Sequence, residues 1–286
     1  MTKVDSKQDT KLEKFDNLKI YKDMRSHIMD WHVHDEYEMI YVQDGSVYFN
    51  IEGKEIVYEK NSLLFIGNLE KHKMIPYKEP YVRYVSVINR EFFERFVGEP
   101  ALHSIFKRRS DGTPAGIYLP ECDSEFVLNE LNQSLEEASE ANTFYEAYSM
   151  TSILRILIHL FRNNRNQFPE YTHTLSSKQA AEVQKYLDEN FTGDVSLDSL
   201  SLMFFINKYH LSRIFKELTG CSIKKYVNKK RIALAKDLLY YTKADVSQIA
   251  MDCGFNSTSN FIRAFKNMEY ETPLCFRRNF KESSKV

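Results

Sequence analysis

The stretch VSQIAMDCGFNSTSNFIRAFK, residues 246–266, decides the reading because an earlier stretch of the chain answers it. Ile249-Ala250, Asn256 and Phe261-Ile-Arg263-Ala-Phe265-Lys266 correspond to Leu200-Ser201, Asn207 and Leu211-Ser-Arg213-Ile-Phe215-Lys216. The offset is 49 residues at the start and 50 at the end, so one residue is inserted between the copies. Such a repeat points to a duplicated supersecondary unit. Each copy predicts a short helix, a tight turn and a second helix. In the first, Ser196 caps a helix reaching Phe204, and Asn207 caps another from Lys208 to Leu218, ended by Thr219-Gly220 with Gly left-handed. In the second, Asp245 and Gln248 form a capping pair, Gly254 breaks the helix and Asn256 caps the segment 257–268. Thr272-Pro273 then opens a final helix, Pro being tolerated in a first turn.

Within each second helix the apolar residues form one stripe: Leu211, Ile214, Phe215 and Leu218, then Phe261, Ala264, Phe265 and Met268. The opposite face presents Lys208, Tyr209, Ser212, Arg213 and Lys216 in one copy, and Thr258, Ser259, Asn260, Arg263 and Lys266 in the other. These residue types read nucleic acid: Arg pairs with guanine, Asn with adenine, and Lys binds phosphate. A connecting helix over 222–241 carries Lys224, Lys225, Lys229, Lys230 and Arg231 in its first half. Residues 176–286 hold 18 Lys+Arg against 12 Asp+Glu, a net +6, whereas the preceding residues sum to −7. A basic module behind an acidic one suits a polyanionic partner.

Residues 176–280 resemble, without a large gap, the tandem helix-turn-helix domain of AraC/XylS-type bacterial transcription regulators. LSRIFKELTG (211–220), RIALAKDLL (231–239), the 246–266 stretch and TPLCFR (272–277) carry the resemblance. It implies two recognition helices entering successive major-groove segments on one face of duplex DNA. The readers it implies are Tyr209 and Arg213, with Thr258, Ser259 and Arg263. It further implies promoter DNA, RNA polymerase and a second copy of the chain as partners, a small-molecule effector, a sugar being the commonest, and activation as the usual outcome. Two positions depart from the pattern: Phe204-Phe205-Ile206 makes the first turn unusually apolar, and Tyr270 stands where the family has Gly.

Upstream, residues 19–87 read as β structure. Runs at 38–42, 47–51, 56–58, 63–66 and 81–88 alternate with turn signals at Asp44-Gly45, 52–54, Lys60-Asn61 and Gly67-Asn68. Short strands at such spacing predict an antiparallel sandwich or small barrel, with Asn61 at a turn position of positive φ. His32-x-His34, then Glu38 and Gly45, resembles the first motif of cupin barrels, and His72 after Gly67 resembles the histidine of the second, without its usual Pro-x-Gly. Strand geometry places His32 and His34 on one face, where Glu38 and His72 can join them. This set is expected to line the effector pocket, with no metal or other cofactor assigned. An alternative is a metal-dependent cupin enzyme tethered to a DNA-binding domain, since three imidazoles and a carboxylate suit Zn, Fe, Mn or Ni.

Between the two textures lie two helical segments. The first holds Leu128, Leu131, Leu135 and Ala138 with Ser124 as its cap; the second is opened by a Thr143–Glu146 capping box and holds Ala147, Met150, Leu154, Leu157, Ile158 and Phe161. One face is expected to pack on the barrel and the hairpin to support a homodimer. The expected layout is a two-domain chain: an all-β cupin-like barrel at 15–121, a helical hairpin at 122–163, a polar linker at 164–175 and an all-α tandem helix-turn-helix domain at 176–286. At 286 residues with 43% hydrophobic content the chain has enough material for both cores. The opening residues lack an apolar segment, no run approaches the ~20 residues that span a bilayer, and the four Cys form no C-x-x-C. Those features lead to the expectation of a soluble cytoplasmic protein with no membrane partner, and the resemblance to regulators implies no catalytic role.

Overall fold

The structure, a computed structural model, describes residues 17–24, 28–51, 53–106, 115–168 and 174–283. Seven strands form one antiparallel sheet: β1 (Leu18–Asp23), β2 (Met29–His32), β3 (Tyr37–Ile51), β4 (Lys54–Glu59), β5 (Ser62–Ile66), β6 (His72–Ile88) and β7 (Ala115–Tyr118). Eleven α-helices are described, besides two short 3-10 turns: α1 (Arg90–Phe96), α2 (Pro100–His103), α3 (Glu121–Ser139), α4 (Tyr145–Asn163), α5 (Leu175–Asn190), α6 (Leu197–Met203), α7 (Lys208–Thr219), α8 (Ile223–Tyr241), α9 (Val246–Asp252), α10 (Thr258–Glu269) and α11 (Pro273–Ser283).

The long strands β3 and β6 pair along most of their length and organise the first half. β1 and β2 add to opposite ends of β6, while β5 and β4 add to opposite ends of β3. Period-2 alternation then divides β3 between two cores. Met39 and Tyr41 face α1, α3 and α4, in a cluster with Val127, Leu131, Met150, Ile153 and Leu157. Ile40, Val42, Val47 and Phe49 share the other cluster with Leu64, Met74 and Val85, so the sheet folds back across its own inner face. Burial of each such side chain contributes about 1.5–3 kcal/mol.

Asp44-Gly45 is not the hairpin turn its composition suggests. β3 runs through it, and the register against β6 shifts there instead. Gly45 has φ +75°, and a Cβ on it would sit 2.2 Å from the Pro80 carbonyl oxygen. A bulge and a turn ask for the same left-handed residue, which is why the sequence pattern does not separate them. β6 is correspondingly longer than the 81–88 run.

Asn61, at φ +67°, is the expected left-handed turn residue. Ser124 is not a cap, since α3 starts at Glu121 behind Pro120. It lies inside the helix, with Oγ 2.6 Å from the Tyr41 hydroxyl and donating to Asn61 Oδ1 at 2.9 Å. The Thr143–Glu146 capping box is absent too: Phe144, left-handed, precedes α4, and Glu146 accepts from the backbone and side-chain nitrogens of Asn17. Both helices pack on the sheet, and the fully buried positions of α4 include Ile153, Ile156 and Leu160 beside Met150 and Leu157. Phe168, near the start of the expected linker, is buried in that same core, and residues 169–173 lie outside the described set.

The second half is the repeated helix-turn-helix pattern. Ser196 caps α6 with a reciprocal Ser199 bond, Asn207 Oδ1 accepts from the first turn of α7, and Gly220 closes α7 at φ +72°. The second copy corrects two caps. Ser257, one residue past Asn256, accepts from Asn260 N at the start of α10, and Asp245 makes no side-chain cap while Gln248 donates to Asp252. Tyr270 adopts the left-handed conformation at the end of α10 (φ +60°) despite its side chain. Gly254, at φ +83°, lies so close to the first unit that a Cβ would be 2.1 Å from the Thr192 carbonyl oxygen. No helix among the described residues is long and apolar enough to cross a membrane.

Candidate nucleic-acid interface and effector site

The apolar stripe of α7 (Leu211, Ile214, Phe215) is buried, which turns Lys208, Tyr209, Arg213 and Lys216 outward, with Ser212 half-buried. On α10 the burial of Phe261 and Phe265 likewise exposes Ser259, Asn260, Arg263 and Lys266, with Thr258 half-buried. Tyr209 is 76% exposed. Arg213 is held in place by Glu217 Oε1 at 2.8 Å and His210 Nδ1 at 3.2 Å, and Arg263 donates to Asn260 Oδ1 at 3.0 Å. Lys208 pairs with Asp198 at 3.2 Å. Both arginines are therefore accessible and partly preorganised, as base or phosphate readers need to be.

Not all of the basic residues of α8 are available to a polyanion. Lys229 and Lys230 are buried against the β domain: Lys229 donates to the Leu69 carbonyl, and Lys230 to the Asp35 carboxylate with Asp188 Oδ1 3.3 Å away. Lys236 donates to the Val33 carbonyl at 2.8 Å and pairs with Glu269 at 3.1 Å. Arg90 of α1 binds Asp188 of α5 at 2.5 Å, and the Tyr226 hydroxyl donates to the same carboxylate at 2.6 Å. Burial lowers Arg90 and Lys230, but the Asp188 and Asp35 carboxylates outweigh it and hold both charged. Val33 and Leu69 complete this seam by packing with Val183, Leu187 and Tyr226. A cavity of about 600 Å³ opens beside it, lined in part by Tyr37, Leu69, Arg90, Gln184 and Lys229. The composition of α8 gives no signal of this burial, because the carbonyls and carboxylates that receive its lysines lie far away in the chain.

His32, His34 and His72 do come together. Their ligand nitrogens lie within 4.8 Å of one another. His32 ends β2, His72 starts β6 opposite it, and His34 lies in the connection to β3. Glu38 shares the inward parity of Ile40, and its Oε2 is 3.4 Å from Nε2 of both His34 and His72. Burial raises the Glu38 carboxyl, but His34 and then His72 outweigh it and hold it well below the usual carboxylate range. Burial likewise lowers His34, and the Glu38 and Glu36 carboxylates turn the net shift upward. Nδ1 of His34 faces the Glu36 carbonyl at 3.2 Å, and Nδ1 of His72 faces the Glu70 carbonyl at 2.9 Å. Nδ1 of each ring thus faces a carbonyl and Nε2 faces the Glu38 carboxylate, so both nitrogens of His34 and of His72 have an acceptor opposite them.

A sheet domain with a buried polar cluster, joined to two helix-turn-helix units with outward arginines, defines a ligand-binding, DNA-binding regulator. Residues 18–157 match the AraC-like ligand binding domain and residues 200–279 match a helix-turn-helix domain. The chain belongs to the AraC-type transcription regulators. It is 28% identical over 100 residues to the regulatory protein PocR of Salmonella typhimurium, covering 35% of this chain and 33% of PocR. It is 30% identical over 125 residues to an uncharacterised HTH-type transcriptional regulator of Staphylococcus aureus, covering 44% of this chain and 17% of that protein. The matched stretches thus span a third or less of these curated relatives. The fold is shared with ToxT of Vibrio cholerae: an apo variant aligns at TM-score 0.63 and 12% identity, over 91% of this chain and 96% of ToxT. ToxT bound to an unsaturated fatty acid aligns at 0.61 and 14%, over 91% and 94%.

Proposed function

We propose that the chain is a sequence-specific, promoter-binding transcription activator, working as a homodimer in the cytoplasm and contacting RNA polymerase when bound. The observation that carries this reading is the pair of equivalent exposed faces on α7 and α10, each with an arginine five residues past its helix start. The effector is a small polar or ionic species at His32, His34, Glu38 and His72, and the helical hairpin of α3 and α4 supplies the dimer contact. Effector binding shifts the population between arrangements of the two halves, and so the set of half-sites a dimer occupies together.

Arg213→Ala and Arg263→Ala should each cost about 1–3 kcal/mol of specific binding. The measurement is electrophoretic mobility shift on a duplex selected by the full chain from a random library. Unchanged affinity in both variants would remove the assigned reading faces.

A further inference from the structure

We propose that the effector is a divalent transition-metal ion held by His32, His34 and His72 with Glu38 beside them, and that residues 33–35 transmit its binding to the lysines of α8. The inference rests on the regulator reading and adds the chemical identity of what is sensed.

Space comes first. The His32 and His72 ring centroids are 4.0 Å apart, and His34 lies 5.1 Å from His72 and 5.8 Å from His32. Rings this close leave room among their nitrogens for an atom, not for a sugar ring. His72 is 1% exposed, and its Nε2 faces Glu38 Oε2 at 3.4 Å without a well-formed hydrogen bond. A buried ring nitrogen so loosely partnered is costly, and an ion bound between the imidazoles and Glu38 would satisfy it. The carbonyls of Glu36 and Glu70 that fix the two Nδ1–H groups are the outer partners ligating histidines need. Imidazole nitrogens favour Zn, Cu, Ni, Co or Fe over Mg and Ca, which take oxygen ligands.

The cluster is also wired to the DNA-binding half. Val33 sits between two of the histidines; its carbonyl accepts from Lys236, and its side chain is buried among Val183 and Leu187. Asp35, next to His34, takes Lys230. The His34 carbonyl accepts from Leu69 N at 2.8 Å, and the Leu69 carbonyl takes Lys229. Lys71, next to His72, stands 3.9 Å over the ring of Tyr270 at the end of α10. An ion binds imidazole at about 2.0–2.1 Å, so tetrahedral loading asks for nitrogens about 3.4 Å apart. Drawing the rings inward from their present separation pulls on 33–35, and through it on α8, the helix between the two readers. Ion binding and DNA geometry then bias one equilibrium.

The test uses the full chain, stripped with EDTA and dialysed, then titrated with Co²⁺ by visible absorption and with Zn²⁺ by calorimetry. One ion per chain is expected, with Co²⁺ d–d bands. His72→Gln and, at the less buried position, His32→Gln should each weaken uptake at least 100-fold while circular dichroism stays unchanged. Affinity for the library-selected duplex should differ at least fivefold between stripped and Zn²⁺-loaded chain. Lys236→Met should keep ion uptake and reduce that difference below twofold. No uptake of either ion by a wild-type chain that still binds the duplex overturns the metal assignment and leaves the regulator reading standing. Uptake with equal duplex affinity in both states overturns the coupling. Failure to select any duplex overturns the regulator reading itself.

Discussion

Arg90, at the start of α1, and Asp188, in α5, meet at 2.5 Å with both side chains buried, and so tie the sheet domain to the DNA-binding half. Asp188 also accepts from Tyr226 and faces Lys230. Removing it leaves buried Arg90 with only Glu94, at 3.7 Å, among the described residues, and takes one of two carboxylates from Lys230. Breaking a buried pair from one side costs about 3–5 kcal/mol. Asp188→Ala should lower stability by that amount in urea denaturation. The exposed Lys208–Asp198 pair is the control: Asp198→Ala removes a contact of the class worth about 0–1 kcal/mol, together with the small dipole gain of a carboxylate in the first turn of α6.

On the proposed reading, Glu217 competes with DNA for Arg213. It holds the guanidinium at 2.8 Å and brings a negative charge to the reading face. Glu217→Gln should tighten duplex binding several-fold at low salt and change stability by less than about 1 kcal/mol. Lys216→Ala, which removes a phosphate-type contact, should weaken all sequences alike and lower the salt slope by about one. Affinity measured across a salt series checks both.

Asp237 on α8 gives the domain seam a pH dependence. Burial, with the Glu36 charge adding to it and Lys236 opposing, raises its carboxyl to about 7. The folded chain thus holds this proton more tightly than the unfolded chain, whose aspartates titrate near about 3.9. Its contribution is neutral below both values, becomes destabilising as pH climbs from about 4 to about 7, and is constant above. Asp237→Asn should therefore stabilise the chain at pH 8 and leave it unchanged at pH 4. Melting temperatures across that range decide it, and a constant offset would contradict it.

Tyr270 holds a left-handed backbone conformation that costs a non-glycine residue about 1–2 kcal/mol. The stack under Lys71 offsets part of that. Tyr270→Gly should stabilise by about 1 kcal/mol in a Lys71→Ala background and by less with Lys71 present. A double-mutant cycle in thermal denaturation reads the difference.

Ser124 shares one buried network with Tyr41 and Asn61. Ser124→Ala should cost about 1–3 kcal/mol, because the Tyr41 hydroxyl then loses a partner away from water. Ser124→Thr should keep the hydrogen bonds if the added methyl fits, and chemical denaturation compares the two.

The repeat was legible because helical period and capping are local: Ser196, Asn207 and Gly220 act as their residue types require. The histidine cluster was legible because strand parity, the His-x-His spacing and one further strand suffice to gather it. Asp44-Gly45 was misread because its chemistry serves a bulge as well as a turn. Ser124 and Glu146 were misread as capping residues because both bond to residues distant in the chain. Lys229 and Lys230 count toward the basic module in the sequence but are not open to a polyanion, for a related reason. Lysine on a helix is ordinarily solvated, and only the folded chain brings the Leu69 carbonyl to Lys229 and Asp35 and Asp188 to Lys230.

Gly254 leans on Thr192, and Arg231 donates to the carbonyls of Phe191 and Gly193, so the second reading unit is braced against the loop that opens the first. The pair behaves as a caliper of set opening. On the proposed reading, operators would have to present their two contact patches at that gauge, and one lengthened or shortened by a base pair would have to be bent or twisted to fit. Promoter strength would then vary with the stiffness of bases that no side chain touches.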